Sequence, residues 1–119
     1  MLRFLLPAFV ALGALAPLAA EAALSCGIAS YYGLNDGFAG QRTANGERFT
    51  PSKLTTAHPS LPFGTRLRVT NKANGKSVVV RVNDRGPYYG SRIIDLSHGA
   101  FSQIASASQG LAQVCISKV

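Results

Sequence analysis

Acidic residues, cysteine and tryptophan are scarce in this sequence, and each shortage excludes some kinds of protein. The 119 residues include five Asp and Glu, two Cys and no Trp. A chain of this length forms one small domain at most. Its two cysteines and two histidines lack the spacing of a zinc site, so no metal is expected. The absence of phosphate-binding, dinucleotide-binding and Gly-x-Ser-x-Gly motifs argues against nucleotide-dependent enzymes and serine hydrolases.

The first 22 residues hold most of the apolar excess and have the pattern of a secretory signal peptide. Arg3 precedes a short, proline-broken apolar run that ends in Ala-Glu-Ala at residues 20–22. This small-residue pattern is the one that signal peptidase reads. We therefore predict a signal peptide over residues 1–22 and a mature domain over residues 23–119. No later segment is long and apolar enough to span a membrane.

A surplus of positive charge is the second feature of the composition. The sequence has 12 Lys and Arg against its five acids, a formal charge of +7. Removing residues 1–22 removes one base, Arg3, and one acid, Glu21, so the mature domain keeps this charge. Export excludes most nucleic-acid partners, and a basic exported domain is suited to an anionic cell envelope. A charge that serves only solubility is the alternative.

The two cysteines lie near opposite ends of the predicted mature domain. In an oxidising compartment Cys26 and Cys115 can form a disulfide that ties the first strand to the last. By the chain-entropy argument, closing so long a loop contributes roughly 3 to 4 kcal/mol. The alternative is lipidation of Cys26, although leucine precedes it by two residues where a lipoprotein signal normally has three.

Short runs rich in Val, Ile, Tyr and Leu, separated by Gly, Asn and Pro, predict an all-β domain. The run from Arg66 to Thr70 alternates polar and apolar residues, and Asn74-Gly75 then provides the positive φ angles of a hairpin turn. Phe101 and Ile104 have helical spacing and predict one short helix. The predicted strands are 26–32, 66–70, 76–82, 92–96 and 111–117, the helix is 98–107, and long loops occupy 33–42, 50–65 and 83–90.

Few side chains of the mature domain can act as acids or bases. The carboxylates are Asp36, Glu47, Asp84 and Asp95. Asp84 follows an apolar strand, where partial burial favours a general acid, and a hydrogen bond within its own turn is the alternative. Asp95 leaves another apolar strand and can cap the helix that follows, whereas Asp36 lies in a turn and Glu47 follows one. His58 is either a donor of a hydrogen bond or proton, or a structural residue.

Six ordered blocks of the sequence resemble the rare lipoprotein A family and together cover residues 26 to 118. The blocks are Gly-Ile-Ala-Ser-Tyr-Tyr-Gly at 27–33, Thr-Ala-Asn-Gly-Glu at 43–47, Ala-His at 57–58, Leu-Pro-Phe-Gly-Thr at 61–65, Val-Asn-Asp-Arg-Gly-Pro at 82–87 and Ile-Asp-Leu-Ser at 94–97. The resemblance implies a six-stranded double-psi β-barrel with one or two short helices, the fold of expansins and barwin-like proteins. It also implies an endolytic peptidoglycan transglycosylase that prefers glycan strands stripped of stem peptides.

The same resemblance suggests catalytic residues. Carried over position by position, it assigns the catalytic acid to Asp84 and places Glu47 and His58 in the same groove. Asp95 is the alternative acid, because its Asp-Leu context is that of the essential residue in related barrels. In a lytic transglycosylase the 6-hydroxyl of muramic acid attacks its own anomeric carbon, so one acid/base can suffice.

Further residues near the blocks are candidates for substrate binding. Tyr31, Tyr32, Tyr88 and Phe63 can offer flat faces to sugar rings, with packing inside the barrel as the alternative for Phe63. Arg85 is the one basic residue among the candidates for substrate binding. We expect a monomer in the periplasm or cell envelope that binds peptidoglycan glycan strands and needs no cofactor. The alternative function is an expansin-like module that binds glycan or loosens the wall without cleavage.

Overall fold

The chain forms a closed six-stranded β-barrel in the computed structural model, which describes residues 22–119. The strands are β1 (Ala23–Tyr32), β2 (Thr55–Ala57), β3 (Arg66–Asn71), β4 (Ser77–Asp84), β5 (Arg92–Ser97) and β6 (Ala112–Lys118). An α-helix, α1 (His98–Ile104), and a 3-10 turn (Ala107–Gln109) connect β5 to β6. The predicted signal peptide, except for its final residue, lies outside the described residues. Within them, no helix is long and apolar enough to cross a membrane.

The barrel closes in the order β1-β5-β2-β4-β3-β6, with β6 pairing back to β1. The pairs β1–β5 and β2–β4 are parallel, and the other neighbouring strands are antiparallel. This order confirms the six-stranded barrel that the family resemblance implies. Its first strand therefore lies between the last two strands of the chain.

The five strands predicted from the sequence are present, with ends that differ from the prediction by at most three residues. The prediction of one loop over residues 50–65 is wrong, because Thr55–Ala57 forms β2 between β4 and β5. Three residues are too few to show a period of two, so this strand depends on long-range pairing. Asn83 and Asp84 also belong to β4, where the sequence predicts a loop.

The β3–β4 hairpin is confirmed, and its apolar positions face the interior. Its turn is closed by hydrogen bonds from Asn71 N to Lys76 O and from Gly75 N to Asn71 O, both 2.8 Å. Gly75 has a φ of +76°, but Asn74 does not share the positive φ that the sequence predicts. Asn74 instead accepts a bond from Lys76 N at 2.9 Å and donates to Ile104 O at 3.0 Å, which fixes the hairpin against the helix.

Alternation along the strands separates the interior of the barrel from its outer face. Tyr32, Phe49 and Ala57 form a second, smaller buried cluster apart from this interior. The interior consists of Ala29, Leu67, Val69, Val78, Val80, Val82, Ile94, Leu96, Ala100, Phe101, Ile104, Ala112, Val114 and Ile116.

Ser97, and not Asp95, caps the helix. Its Oγ accepts a hydrogen bond from Ala100 N at 3.2 Å and donates one to Lys53 O at 2.6 Å. The prediction that Asp95 caps α1 is therefore wrong, because Asp95 is paired inside β5 two residues earlier. The helix also ends at Ile104, since Ala105 is already extended with a φ of −159°.

The predicted disulfide between Cys26 and Cys115 is confirmed. The two residues are Cα partners in the antiparallel β1–β6 pair, and their sulfur atoms are bonded. The bridge joins the first and last strands across 89 positions of sequence. The Sγ atom of Cys26 is therefore unavailable for the thioether that lipidation would form, which removes the alternative for this residue.

Candidate active site

Two of the four carboxylates in residues 23–119 lie on either side of β2. Ala57 is the Cα partner of Asp84 in β4 and also of Asp95 in β5. Ile94 and Leu96, the neighbours of Asp95, face the interior, so the Asp95 side chain points to the outer face. A strand of three residues thus sets the separation between two acids that are far apart in sequence.

The Asp84 carboxylate accepts three hydrogen bonds. The hydroxyl of Tyr32 donates to Oδ2 at 2.8 Å. The backbone N–H groups of Ala44 and Arg85 donate to Oδ1 at 2.9 and 3.0 Å. Because these donors come from three segments, the orientation of the carboxylate depends on β1, on the loop after it and on the turn that Asp84 opens.

Tyr32 is held rigidly where it meets Asp84. Its ring stacks on Phe49 with centroids 4.3 Å apart and planes 6° from parallel, and the side chain is buried. Burial, followed by the hydrogen bond to Asp84, raises the pKa of Tyr32 well above its ordinary value, so the phenol remains a donor. Phe38 packs edge-on against the same ring at 5.6 Å and is half exposed, which adds an apolar surface beside the site.

Asp95 has a different environment from Asp84. Burial, to which the charge of Asp84 adds, raises the pKa of Asp95 to about 6, although Ser30 and Arg92 oppose the shift. The Ser30 hydroxyl donates to Oδ1 at 3.1 Å. Oδ2 has no hydrogen-bond partner among residues 22–119. Asp95 is thus a carboxyl that loses its proton near pH 6 instead of near 4, and one of its oxygens has no hydrogen-bond partner among the described residues.

Glu47 is fully engaged in hydrogen bonds. Arg81 donates to Oε1 and Oε2 at 2.8 and 3.0 Å, Asn83 to Oε1 at 2.9 Å and Asn45 to Oε2 at 3.0 Å. These bonds, that from Arg81 first, lower the pKa of Glu47 to about 2. The ionised Glu47 anchors residues 43–47 to β4, and this loop supplies the Ala44 N–H to Asp84.

His58 follows β2 directly and is held as a neutral imidazole. Its Nδ1 accepts hydrogen bonds from the backbone N–H groups of Ser60 and Leu61 at 3.1 and 3.0 Å, so the ring proton is on Nε2. Burial and then the charge of Arg85 lower the pKa of His58. In the described part of the chain Nε2 has no partner, which leaves one N–H donor available.

Arg85 is committed to contacts within the protein. Its Nη1 donates to the carbonyls of Leu61 and His58 at 2.9 and 3.2 Å. Its guanidinium lies 4.0 Å from the centre of the Phe63 ring. Phe63 is 41% exposed and lies outside the barrel interior. These contacts fix the loop that carries His58, next to Asp84.

The tyrosines predicted to bind substrate are in three different settings. Tyr32 supports Asp84, whereas Tyr88 is 74% exposed. Tyr31 points to the opposite face of β1, where its hydroxyl donates to Ala107 O at 2.9 Å and its ring packs on Phe101 at 4.8 Å. The structure therefore does not bring Tyr31 to the carboxylates.

The site also contains groups that sequence reasoning missed. Ser30 contacts Asp95, Phe38 contacts Tyr32, and the Ala44 N–H binds Asp84. Alternation along β1 would have placed Ser30 and Tyr32 on one face, but a backbone donor such as Ala44 N–H has no signal in the sequence. Within residues 22–119, no three His, Cys, Asp or Glu side chains are grouped as metal ligands.

The sequence is similar to a family of cell-wall enzymes. Residues 24–116 match the lytic transglycolase family. The chain is 61% identical over 90 residues to the probable endolytic peptidoglycan transglycosylase RlpA of a Nostoc species. It is 54% identical over 88 residues to the endolytic peptidoglycan transglycosylase RlpA of Campylobacter jejuni. These matches cover 76% and 74% of this chain but only 24% and 31% of the relatives, so it spans a quarter to a third of their length.

Solved structures with the same fold are more distant in sequence. A papain inhibitor from Streptomyces superimposes with a TM-score of 0.63 at 24% identity, over 87% of this chain and 97% of that one. The expansin of Clavibacter michiganensis also gives 0.63 at 24% identity, over 80% of this chain and 50% of that one. At such identities the likeness establishes the barrel alone.

Proposed function

The chain belongs to the lytic transglycolase family, and on that premise we propose that it is an endolytic peptidoglycan lytic transglycosylase. It acts in the periplasm or cell envelope, on glycan strands that lack stem peptides. It cleaves the β-1,4 bond between N-acetylmuramic acid and N-acetylglucosamine and leaves a 1,6-anhydromuramic end. The observation that carries this proposal is the pair of carboxyls on either side of Ala57, one of which has its pKa raised to about 6.

Asp95 is the group that moves the proton. A general acid works best when its pKa is near the working pH, and a value of about 6 for Asp95 meets this condition. Protonated Asp95 donates to the glycosidic oxygen as the bond from that oxygen to the anomeric carbon breaks. Its conjugate base then accepts the proton of the 6-hydroxyl as O6 bonds to the anomeric carbon. The proton count balances without water, so a single acid/base completes the cycle.

Asp84 serves the reaction as a fixed negative charge. The transition state of glycosidic cleavage resembles an oxocarbenium ion, which a nearby carboxylate stabilises. Three donors hold Asp84 in one orientation, and its charge contributes to the raised pKa of Asp95. The resemblance by itself assigns the acid to Asp84, and the contacts of the two carboxyls favour the reverse division of roles.

His58 and Glu47 position the parts of the site. The Nε2–H of His58 donates a hydrogen bond to the sugar, since its Nδ1 is occupied by two backbone donors. Glu47 stays ionised and acts through Arg81 and Asn83, which hold the loop of Ala44 against β4. Neither residue transfers a proton in this mechanism.

The products of digestion test the proposal. The purified protein is incubated with peptidoglycan from which amidase has removed the stem peptides, and the released fragments are analysed by mass spectrometry. We expect fragments of several disaccharides that carry 1,6-anhydromuramic ends, because an endolytic enzyme cuts within the strands. Reducing ends without the anhydro ring would identify a hydrolase. Retention on the glycan without any release would identify a binding module of the expansin kind.

A further inference from the structure

Arg92 and Tyr89 form a pair of a cation and an aromatic ring at the start of β5, and neither residue was a candidate in the sequence analysis. Nη1 of Arg92 donates to the Tyr89 hydroxyl at 2.9 Å, and its guanidinium carbon lies 4.8 Å from the centre of the Tyr89 ring. Tyr89 is 65% exposed. In the part of the chain that the structure describes, Arg92 forms no ion pair. The pair thus presents a ring and a charged guanidinium to solvent.

Arg92 differs from Arg81 and Arg85 because its guanidinium is bound neither to a carboxylate nor to backbone carbonyls of the described residues. Arg81 is paired with Glu47 at 2.8 Å, and Arg85 donates to backbone carbonyls beneath Phe63. Arg92 begins β5, the strand that carries Asp95 three residues later, and its positive charge opposes the effect of burial on the pKa of Asp95. Arg92 is therefore a cation on the same strand as the proposed acid, and its remaining N–H donors can bind an anion.

The chemistry of muramic acid supplies a matching anion. Each muramic acid carries a lactyl ether whose carboxyl is free when the stem peptide has been removed and is an amide when the peptide is attached. The planar guanidinium of arginine binds carboxylates through paired N–H donors, and an exposed tyrosine ring packs against the apolar face of a sugar. A muramic acid with a free lactyl carboxylate can therefore bind both Arg92 and Tyr89, whereas one with an amide can bind only the ring of Tyr89.

We propose that Arg92 and Tyr89 form a subsite for the lactyl carboxylate of muramic acid, and that this contact selects peptide-free strands. The inference rests on the proposed substrate, but it concerns binding and not cleavage. According to this proposal, the protein distinguishes the two kinds of strand by the charge of the lactyl carboxylate, which is lost when the stem peptide is attached as an amide.

The test measures affinity for two forms of one oligosaccharide. A muramic-acid-containing glycan is prepared with free lactyl carboxyls and, in parallel, with these carboxyls converted to methylamides. Dissociation constants are measured by calorimetry in an Asp95→Asn background, which prevents cleavage. We expect the free acid to bind about tenfold more tightly, as for one charge-assisted contact. Arg92→Gln removes this ratio and Arg92→Lys keeps part of it.

Lys76→Gln is the matched control. It makes the same change in charge at the exposed hairpin, at the other end of β4 from Asp84, and is expected to keep the tenfold ratio. Should Arg92→Gln fail to fold, Tyr89→Phe removes the hydroxyl that orients Arg92 from an exposed position and is expected to reduce the ratio. Equal affinity of the parent protein for the two glycans, or an unchanged ratio in Arg92→Gln, would overturn the subsite.

The subsite and the lytic activity can fail separately. Anhydro ends released without any preference for the free acid would retain the proposed function and reject the subsite. A preference that depends on Arg92, in a protein that releases no anhydro ends, would support the subsite and reject the lytic activity.

Discussion

The hydroxyl of Tyr32 and the carboxylate of Asp84 form a 2.8 Å hydrogen bond between residues 52 positions apart. Tyr31, the adjacent residue, makes an equivalent bond to a carbonyl on the other face of β1. Successive side chains of a strand point in opposite directions. The two neighbouring tyrosines therefore both donate a hydrogen bond, but only that of Tyr32 reaches a carboxylate of the candidate site.

Tyr32→Phe should lower kcat roughly tenfold and cost about 1 kcal/mol of stability. The ring stays stacked on Phe49, and only the donor to Asp84 is lost. Tyr31→Phe is the control, since it removes a hydroxyl bonded to Ala107 O and should cost similar stability while leaving kcat unchanged. Steady-state kinetics and urea unfolding of both variants provide the comparison, and equal losses of kcat would show that the bond to Asp84 is not special.

Asp95→Asn should reduce turnover at least about 100-fold, because it removes the proposed proton donor. In the parent protein kcat/KM should fall as the pH rises through about 6, where Asp95 loses its proton. Asp84→Asn should leave measurable activity whose pH profile moves to lower pH, since the Asp84 charge helps to raise the pKa of Asp95. An active Asp95→Asn beside an inactive Asp84→Asn would transfer the acid to Asp84 and keep the reaction class.

The stability of the protein should also depend on the Asp95 proton. The native pKa of about 6 lies above the ordinary value of 3.8, so the folded state binds the proton more tightly than the unfolded chain. Stability should therefore fall as the pH rises from about 4 to 6, by up to about 3 kcal/mol, and remain lower above this range. Asp95→Asn should be less sensitive to pH in this window and more stable than the parent at pH 7, which urea unfolding at pH 4 and pH 7 can measure.

Glu47 should contribute to the pH dependence of stability in the opposite direction to Asp95, and Glu47→Gln should remove this moderate contribution. The pKa of Glu47 is lowered to about 2, so its contribution to stability is present above about pH 4.5 and is lost as the pH falls through 2. Both partners of the Glu47–Arg81 pair are more than a third exposed, so we expect about 1 kcal/mol or less at pH 7. Turnover should fall severalfold as the loop of Ala44 loosens. Arg81→Lys, which keeps the charge but not the paired geometry, should reproduce the effect.

Replacing Cys26 and Cys115 together by serine should lower the free energy of unfolding by about 3 to 4 kcal/mol, because the unfolded chain loses a long closed loop. Activity of the folded fraction should be retained, since the bridge lies between β1 and β6 and away from the carboxylates. Chemical denaturation with and without reductant measures the difference. Alkylation of the exported protein should find no free thiol, and two labelled cysteines would contradict the bridge.

Local patterns were enough to predict much of this barrel. The hairpin around Gly75 and the strand of alternating residues from Arg66 have signals within a few residues. Strand β2 does not, because its three residues become a strand only through pairing with β4 and β5. The spacing of Asp84 and Asp95 depends on that strand and so was beyond the reach of any local pattern.

The candidate residues were easier to list than to place. Residues 23–119 contain four carboxylates, so Asp84 and Asp95 were obvious choices from the sequence. The distinct roles proposed for them depend on burial and on donors in remote segments, such as Ser30 and Ala44. The choice between Tyr31 and Tyr32 likewise depends on the register of β1 against β5, which a doublet of identical residues does not encode.

The pairing of β1 with both β5 and β6 determines when the barrel can close during synthesis. A chain that emerges from one end, from the ribosome or through a membrane, cannot close the barrel until β6 has also emerged, because β1 waits for partners from the far end. Such non-local closure makes folding slow and late. Asp95 cannot reach its position across β2 from Asp84 before β5 has emerged, so a partly emerged chain lacks the assembled candidate site. The topology therefore makes assembly of the site depend on synthesis of the whole barrel.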